Sequence, residues 1–346
     1  MSGRRHHYLP RFLLKGFASR LERDEAYTWV FRKNRNPFEP NIDNIAVQRD
    51  FYGEPGQAIA DEQITSDENK FFSPLLDDLR STNLVSSKDY PLVTDLVLNL
   101  ANRTNHLRES FQGMIDLIMR SVSIQYQDPE IIRNLFNKEA PKYTPEIMKF
   151  LNVRHIDDQT KRKIYNLLME KLLTQFESQV PQLQDTMNQF YQYMQGRLPS
   201  IIQDGQNRGL AKLASPYERS KKLADLKWYV HTAEDNSFIL GDIGPIAYDE
   251  DEDVCRTLIQ EMNPKIIYLP ISHNRILIGS VQENPEYPSP EAPNVHIAGI
   301  SREFFISSQN TQRESRYVNH LGNNAEMLSE EDLLNLIERK TKKWSV

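Results

Sequence analysis

A helical repeat of apolar residues occupies the middle of this chain and restricts the fold more than any other feature. Between Pro91 and Ser121, apolar positions recur at alternating steps of four and three, which places one stripe along about seven turns. The stripe consists of Val93, Val97, Leu100, Thr104, Leu107, Phe111, Met114 and Ile118. Helical patterning extends from Asp61 to about Ala214, with further long helices predicted over 158–180 and 182–195 and a kink or break at Pro181.

The sequence changes character at about Leu226, where short β-rich runs replace the helical repeat. LKWYVHTA, SFILGD, KIIYLPIS and RILIGS predict a small antiparallel sheet, with the acidic YDEDEDV as a solvated loop. Two more helices are predicted over 295–307 and 329–344. We therefore expect an α+β fold: a mainly helical body over 1–225 and a β-rich segment with C-terminal helices over 226–346, packed as one domain.

Composition excludes several classes of protein. The 346 residues carry a formal charge of −6, which argues against nucleic-acid binding by the whole surface but not by a local basic groove. The single cysteine, Cys255, excludes an internal disulfide and a thiolate zinc site, so a metal would need His and carboxylate ligands. No apolar run approaches the roughly 20 residues that span a bilayer, and we expect a cytoplasmic protein without membrane contact.

A carboxylate stands in the apolar stripe of the first predicted helix, DEQITSDENKFFSPLLDDLRS. The stripe contains Ile64, Phe71, Phe72, Leu75 and Leu79, and Glu68 completes it. Because an unpaired buried charge costs several kcal/mol, we expect Glu68 to be paired, metal-bound or protonated. Glu62 lies about 120° away around the helix axis and flanks that face.

The long predicted helix carries polar residues along the edge of its stripe. Asn99, Arg103 and His106 lie at positions i, i+4 and i+7, and Arg103 falls near the core. A pair between Arg103 and Glu68 is the simplest arrangement that satisfies both charges. Two interpretations stay open: a buried ion pair that locks two helices, and a polar cluster that opens into a cleft.

Further candidate groups lie at the N-terminus and after an apolar strand. His6 and His7 precede Pro10, and adjacent residues of an extended segment point to opposite sides, so only one of them would normally bind a metal. Asp242 follows SFILG and enters a Gly-Asp-Ile-Gly-Pro turn, where a strand fixes a carboxylate and leaves it accessible. The alternative for Asp242 is a carboxylate that caps its own turn.

The N-terminal motif resembles that of a widespread bacterial family of unknown function, whose members open with His-His-Tyr-x-Pro-x-x-x-Leu-x-x-Phe. The corresponding residues here are His6, His7, Tyr8, Pro10, Leu14 and Phe17. The family continues with an acidic pair similar to Glu62 and Glu68 and with a Gln-x-x-Arg-Thr element that ANRTNHLR resembles. A Trp-containing strand and a Phe-Ile-x-Ser-Asp-x-Pro-like turn are similar to Trp228 and FILGDIGP. The resemblance implies one constellation of His6, His7, Glu62, Glu68, Arg103 and Asp242, and it implies no reaction.

The first functional hypothesis is a metal-dependent hydrolase, with a nuclease or another phosphodiesterase as the favoured form. Its candidate catalytic residues are His6, His7, Glu62, Glu68, Arg103 and Asp242, and its candidate metal ligands are Glu62, Glu68, Asp242 and His6. These N and O donors suit Mg²⁺, Mn²⁺ or Zn²⁺. Arg103 or Arg108 would neutralise a phosphoryl group while a metal-bound water attacks it, and the histidine that does not bind metal would act as general acid or base.

The expected partner of such an enzyme is nucleic acid or another phosphate-containing substrate, and a role in bacterial antiphage defence would fit this activity. The second hypothesis is a non-catalytic binding or sensor module whose His/Glu/Arg cluster is structural or binds an anionic ligand. A metal-independent enzyme that uses a Glu–His pair ranks third. The sequence contains no GxGxxG, GxxxxGK[ST], HExxH or GxSxG motif, which disfavours dinucleotide enzymes, P-loop NTPases, zincins and serine hydrolases.

Overall fold

Helices and short antiparallel sheets form an α+β fold, as predicted. The computed structural model describes residues 5–53, 59–82, 84–125, 128–152, 156–211, 221, 223–234, 237–258, 260–261, 263–283, 285 and 289–325. The helix predicted over 329–344 lies outside these residues.

The helices begin with a short N-terminal segment, Arg11–Leu14, which continues into a 3₁₀ turn at Lys15–Phe17. Three consecutive segments then form one continuous helix: Ile59–Asp67, a π-helical turn at Glu68–Phe72, and Ser73–Ser81. We call it the cleft helix, because it lines the cleft described below. The remaining helices are Tyr90–Asn102, Asn105–Gln125, Pro129–Glu139, Thr144–Asn152, Asp158–Ala211, Glu291–Ile300 and Gln312–Tyr317. None of the helices among the described residues is long and apolar enough to cross a membrane.

The apolar stripe predicted as one helix is divided between two helices at Arg103 and Thr104. Arg103 ends the first helix in a bridge-region conformation, with φ −88° and ψ −6°. The hydroxyl of Thr104 then accepts a hydrogen bond from the backbone N–H of Leu107 at 3.3 Å. This side-chain acceptor satisfies one of the free N–H groups at the start of the second helix, so the break is capped.

The separate helices predicted over 158–180 and 182–195 are one helix, Asp158–Ala211, with Pro181 and Pro199 inside it. Of the kink or break predicted at Pro181, the break is therefore wrong. A proline removes one backbone hydrogen bond, and the Gln, Leu, Glu and Met residues around Pro181 favour helix strongly enough to continue through it.

The main sheet contains five antiparallel strands from the predicted β-rich segment. In spatial order they are β6 (Lys227–Thr232), β11 (Arg275–Ser280), β10 (Ile266–Ser272), β8 (Ile246–Asp249) and β9 (Val254–Thr257). The predicted acidic loop is shorter than expected, because Tyr248, Asp249 and Val254 belong to strands and only 250–253 form the turn.

Three smaller sheets use the N-terminal part of the chain. β1 (Arg5–His7) pairs with β5 (Val47–Arg49), and β2 (Arg20–Glu22) pairs with β3 (Glu25–Tyr27). The run SFILGD supplies β7 (Leu240–Gly241), which joins β12 (Phe305–Ser307) and β4 (Trp29–Phe31) and not the main sheet. The helix predicted over 295–307 is thus wrong in its second half, where Phe305 and Ile306 are buried strand residues.

The main sheet separates two apolar cores. Along β10, Ile267, Leu269 and Ile271 pack into one core, whereas Ile266 and Tyr268 pack into the other. This alternation is what a strand buried on both faces requires. The first core also contains residues from the N-terminal segment, the cleft helix and the helix Tyr90–Asn102.

Contacts divide the described part of the chain into two compact units. Of the described residues, those in 5–110 and 200–325 belong to unit 1, and those in 111–199 belong to unit 2. Both apolar cores of the described residues belong to unit 1. Unit 2 is built from long helices and includes a tilted aromatic pair, Phe136 and Phe176, with ring centroids 5.3 Å apart.

Candidate functional site

A polar cleft of about 760 Å³ lies within unit 1 and brings together several of the predicted residues. One wall is the N-terminal segment, with β1 and the turn that follows it, and the other is one face of the cleft helix. Tyr52 and Arg103 complete the lining. The cleft contains His6, His7, Glu68 and Arg103, whereas Glu62 and Asp242 do not line it.

Arg103 connects the two walls. Its guanidinium is almost fully buried; Nη1 donates to Glu68 Oε1, and Nη2 donates to the backbone carbonyl of His7 at 2.9 Å. The guanidinium also lies over the Tyr52 ring, 5.5 Å from its centroid. Burial is the largest single effect and lowers the pKa of Arg103, but the charges of and hydrogen bonds to Glu68 and Tyr52 together outweigh it and leave the pKa above its usual value. The predicted pair of Arg103 and Glu68 is present.

The π-helical turn explains why Glu68 faces the cleft and not the apolar core. A π turn inserts one extra residue and rotates everything beyond it around the helix axis. Ile64, Phe72, Leu75 and Leu79 are buried as predicted, whereas Phe71 is 45% exposed. Phe71 therefore does not belong to the stripe, and Glu68 lies partly exposed at its edge.

The imidazole of His6 is buried and is held by one backbone hydrogen bond. The residue is 7% exposed, and β1 pairs with β5 across it. Its Nδ1 accepts a hydrogen bond from the backbone N–H of Tyr52 at 3.3 Å. Its Nε2 lies 3.7 Å from Asp61 Oδ2, beyond hydrogen-bond distance, and has no other hydrogen-bond partner among the described residues.

His7 occupies the opposite side of β1 and has a different environment. The side chain is partly buried, and burial is the main cause that lowers the pKa of its imidazole below the usual value. Arg11 and Arg103 lower the pKa further, while the backbone carbonyl of Ile42 and the charge of Asp43 oppose them. His7 Nε2 is buried and has no hydrogen-bond partner among the described residues. The lowered pKa favours the neutral imidazole.

Asp61 takes the position beside His6 that the sequence assigned to Glu62. Glu62 is exposed to solvent, whereas Asp61 lines the cleft and is only 16% exposed. Asp61 precedes Glu68 by seven residues, which is two helical turns, so both carboxylates lie on one helix face. The same spacing, applied from Glu68, would have identified Asp61 in the sequence.

Arg80 and Gly16 form the far end of the cleft, and neither was predicted. Arg80 donates from Nε to the carbonyl of Ile271 at 2.8 Å and from Nη2 to the carbonyl of Leu13 at 3.1 Å. Burial lowers the pKa of Arg80 to about 10. A Cβ on Gly16 would collide with the Arg80 guanidinium and the Ile271 carbonyl, so only glycine permits this close approach.

Asp242 serves the turn between Ser301 and Phe304 and does not line the cleft. Its Oδ1 accepts from the backbone N–H of Arg302 at 2.9 Å, and its Oδ2 accepts from that of Glu303 at 2.7 Å. Burial raises the pKa of Asp242 to about 6, against the opposing effect of these two amide hydrogen bonds. The Asp242 carboxylate therefore caps backbone N–H groups, as the structural alternative proposed. The turn that it caps is the one between Ser301 and Phe304 and not its own.

The described residues do not form the predicted metal site. They contain no group of three or more His, Cys, Asp or Glu side chains close enough to hold a metal ion. Glu68 is engaged by Arg103, and a metal on His6 Nε2 would need a proton on Nδ1, where the Tyr52 amide already donates. Glu68 and His6 are therefore both engaged by protein groups.

Other polar residues of the long predicted helix lie outside the cleft lining. His106 borders a separate cavity of about 10 Å³, and neither of its ring nitrogens has a partner among the described residues. Burial lowers the pKa of His106. Arg108 is buried and donates to the Phe51 carbonyl at 2.8 Å and to Asn207 Oδ1 at 3.1 Å, which makes it a structural link.

Comparison with known proteins adds one match. The model of a family described as protein of unknown function (DUF4238) matches residues 5–325. Searches of curated proteins and of solved structures give no match. The match agrees with the resemblance to a family of unknown function and supplies no activity for the cleft.

Proposed function

Because the chain belongs to this family of unknown function, we propose a function from the cleft alone: it binds a phosphate-containing anion. The charge of the side chains that line the cleft supports this proposal. Five arginine and lysine side chains face three carboxylates there, although the whole chain has a net charge of −6. A local excess of positive charge in an acidic protein favours an anionic ligand at that place.

The cations of the cleft have separate roles. Arg103 is buried and Arg80 is half-buried; both donate to protein carbonyls and lie beside a carboxylate, so their positions in the walls are fixed. Arg11 and Lys15 are exposed on the N-terminal wall and remain accessible to a ligand. Arg11 forms an ion pair with Asp43, with 2.7 Å between Nε and Oδ1, and its removal would also disturb that pair. Lys15 is therefore the simpler residue to substitute. Phosphate oxygens accept charge-assisted hydrogen bonds from such groups.

Calorimetric titration of the full chain with inorganic phosphate and with AMP tests the proposal. We expect binding to the unaltered protein and roughly tenfold weaker binding to Lys15→Ala, since a hydrogen bond to a charged group contributes about 1.5 kcal/mol. Lys70→Ala is the matched control, because Lys70 is exposed on the cleft helix outside the lining. Absence of binding, or equal losses in both variants, would contradict the proposal.

A phosphodiesterase or nuclease is the second candidate, and the environment of His7 favours it. His7 lines the cleft beside Arg103, and burial lowers the pKa of its imidazole, which favours the neutral form that can act as a base. Its Nε2 is buried, so acceptance of a proton from an attacking water requires the cleft to open at this ring. The bond from water oxygen to phosphorus would form as the bond to the leaving oxygen breaks. Cleavage of a fluorescent single-stranded oligonucleotide, with and without Mn²⁺, tests this candidate and the metal predicted from the sequence. Activity that survives His7→Asn would exclude this role for His7.

A further inference from the structure

The two walls of the cleft run side by side in the same direction. Contacts between them follow the order of both segments: His6 with Asp61, His7 with Glu68 through Arg103, and Leu13 with Arg80. Residue numbers therefore increase together along the N-terminal segment and the cleft helix. The cleft is a groove that follows the helix from about Asp61 to Arg80, and not a round pocket.

The cleft helix lines this groove with a row of polar side chains. The row recurs at every fourth position and consists of Asp61, Thr65, Asn69, Ser73 and Asp77. In a regular α-helix, residues four apart turn by about 40°, so this row would wind by about 160° around the axis. The extra residue of the π turn at Glu68–Phe72 takes back about 100° and keeps the row on one face. We call these residues the polar row; at about 1.5 Å of rise per residue, it is about 24 Å long.

The uncharged members of the polar row are available to a ligand. The side chains of Thr65, Asn69 and Ser73 make no hydrogen bond to any other residue that the structure describes. Thr65 and Asn69 are exposed, and Ser73 is half-buried. Hydroxyl and amide groups both donate and accept hydrogen bonds, and they are suited to contact sugars and the edges of bases.

The N-terminal wall carries the accessible cations, at two positions along the groove. Arg5 and Arg11 meet at Asp43: Arg5 Nη2 donates to its carbonyl at 3.4 Å, and Arg11 Nε lies 2.7 Å from its Oδ1. Lys15 follows Arg11 by one helical turn, about 6 Å along the axis, towards the Arg80 end. One phosphate at Lys15 would leave the Arg5–Arg11 position unused, whereas a chain of phosphates would use both.

We infer that the cleft binds single-stranded nucleic acid, with the phosphates on the N-terminal wall and the sugars and bases towards the polar row. The inference rests on the proposed function and names its ligand class. The two walls differ as the two sides of a strand differ: one is cationic, and the polar row has uncharged groups at its centre and carboxylates at its ends. A double helix keeps its bases paired inside, and inorganic polyphosphate is anionic on every side, so neither matches both walls.

Fluorescence anisotropy of a labelled thymidine oligomer of about eight nucleotides tests the inference on the full chain, with EDTA present to prevent cleavage. The oligomer should bind at least about tenfold more tightly than AMP, because it uses both cationic positions. The salt dependence counts the phosphates that are neutralised. For contacts with Arg5, Arg11 and Lys15, log K should fall with log salt at a slope of about −2, and AMP should give a slope no steeper than about −1.

Substitutions on each wall assign the two sides of the strand. Arg5→Ala should reduce the slope for the oligomer to about −1.4 and leave AMP binding unchanged, since AMP occupies the Lys15 position. Asn69→Ala should weaken binding of the oligomer about fivefold and leave polyphosphate binding unchanged, because the amide contacts a sugar or a base. Lys70→Ala is the control, next to Asn69 but outside the lining, and should change neither affinity. The three substituted positions are exposed, so the variants should keep the Tm of the parent.

The results separate the inference from the proposed function. AMP binding without tighter and more salt-dependent binding of the oligomer would overturn the inference and leave the proposed function intact. Binding of neither ligand would refute the proposed function, and the inference with it. Equal affinity for the oligomer and for a DNA hairpin with a stem of the same length, or for inorganic polyphosphate of that length, would overturn the single-strand assignment. An unchanged slope in Arg5→Ala would overturn the placement of the phosphates on the N-terminal wall.

Discussion

Arg103 lies where three segments of the cleft meet, and its contacts explain why a charged residue is buried there. It donates to a carboxylate on the cleft helix and to the His7 carbonyl of β1, and it lies over the Tyr52 ring. These contacts replace the water that a guanidinium loses on burial. Removal of one partner leaves a buried charge without compensation, so the cost falls on stability.

We expect Glu68→Ala to lower the free energy of unfolding by about 3–5 kcal/mol, the usual cost of removing one partner of a buried ion pair. Urea denaturation of Glu68→Ala, Arg103→Met and the double variant measures this. The double variant should be more stable than the sum of the single losses predicts, because it contains no unpaired charge. Glu62→Ala is the control and should change stability by less than about 0.5 kcal/mol. Additive losses would show that Glu68 and Arg103 do not interact.

The raised pKa of Asp242 predicts how the stability of the protein depends on pH. Its folded-state pKa of about 6 lies above the value of about 3.9 in an unfolded chain, so the folded protein binds the proton more tightly. Protonated Asp242 therefore contributes up to about 3 kcal/mol to the free energy of unfolding. This contribution is fully present below about pH 4 and is lost as the pH rises through 6.

Thermal melts of the parent protein and Asp242→Asn over this range test the assignment. The asparagine has only one oxygen for the two amide donors, so we expect a loss of about 1–3 kcal/mol at low pH and a flatter pH dependence. Asp225→Asn, at an exposed position, should leave the profile unchanged. If the parent protein gains stability relative to Asp242→Asn as the pH rises from 4 to 6, the expected direction of the pH dependence is wrong.

At the level of elements, helical periodicity predicted most of the fold and part of the cleft. It placed Glu68 and Arg103 on neighbouring helices and predicted their pair. It could not predict the π turn at Glu68–Phe72, because one inserted residue changes the phase without a composition signal. The break at Arg103 was also hidden, since Thr104 fits an apolar stripe as well as a helix cap.

Gly16 gives a prediction at the junction of the N-terminal 3₁₀ turn, the cleft helix and β10. A methyl group there would meet the Ile271 carbonyl, which β10 fixes, and the guanidinium of Arg80. We expect Gly16→Ala to destabilise the protein by about 1–3 kcal/mol, as overpacking does. Gly205→Ala is the matched control: no atom lies within 4 Å of its added Cβ, and alanine should stabilise this helix by about 0.5–1 kcal/mol. Equal effects of the two substitutions in urea denaturation would contradict the assigned contact.

On the scale of the whole molecule, the distribution of buried residues is uneven. Among the described hydrophobic residues that are buried, only Ala140, Leu151 and Leu198 belong to unit 2, and all others belong to unit 1. The short helices of unit 2 have apolar stripes as strong as those of unit 1, so their sequence pattern did not indicate this difference. Periodicity shows that a helix has an apolar face, but which surface covers that face depends on contacts far apart in the chain.

The uneven burial predicts a difference in local stability between the units. Backbone amides are protected from hydrogen exchange by the free energy of opening, which depends on the apolar surface buried around them. Native-state exchange measured by mass spectrometry should therefore show faster exchange over 111–199 than over β10 and β11, where both faces of the strands are buried. The comparison should use peptides from the interior of the helix Asp158–Ala211, since helix ends fray in any protein. Equal protection in the two units would contradict this prediction and would mean that the few buried side chains of unit 2 understate its stability.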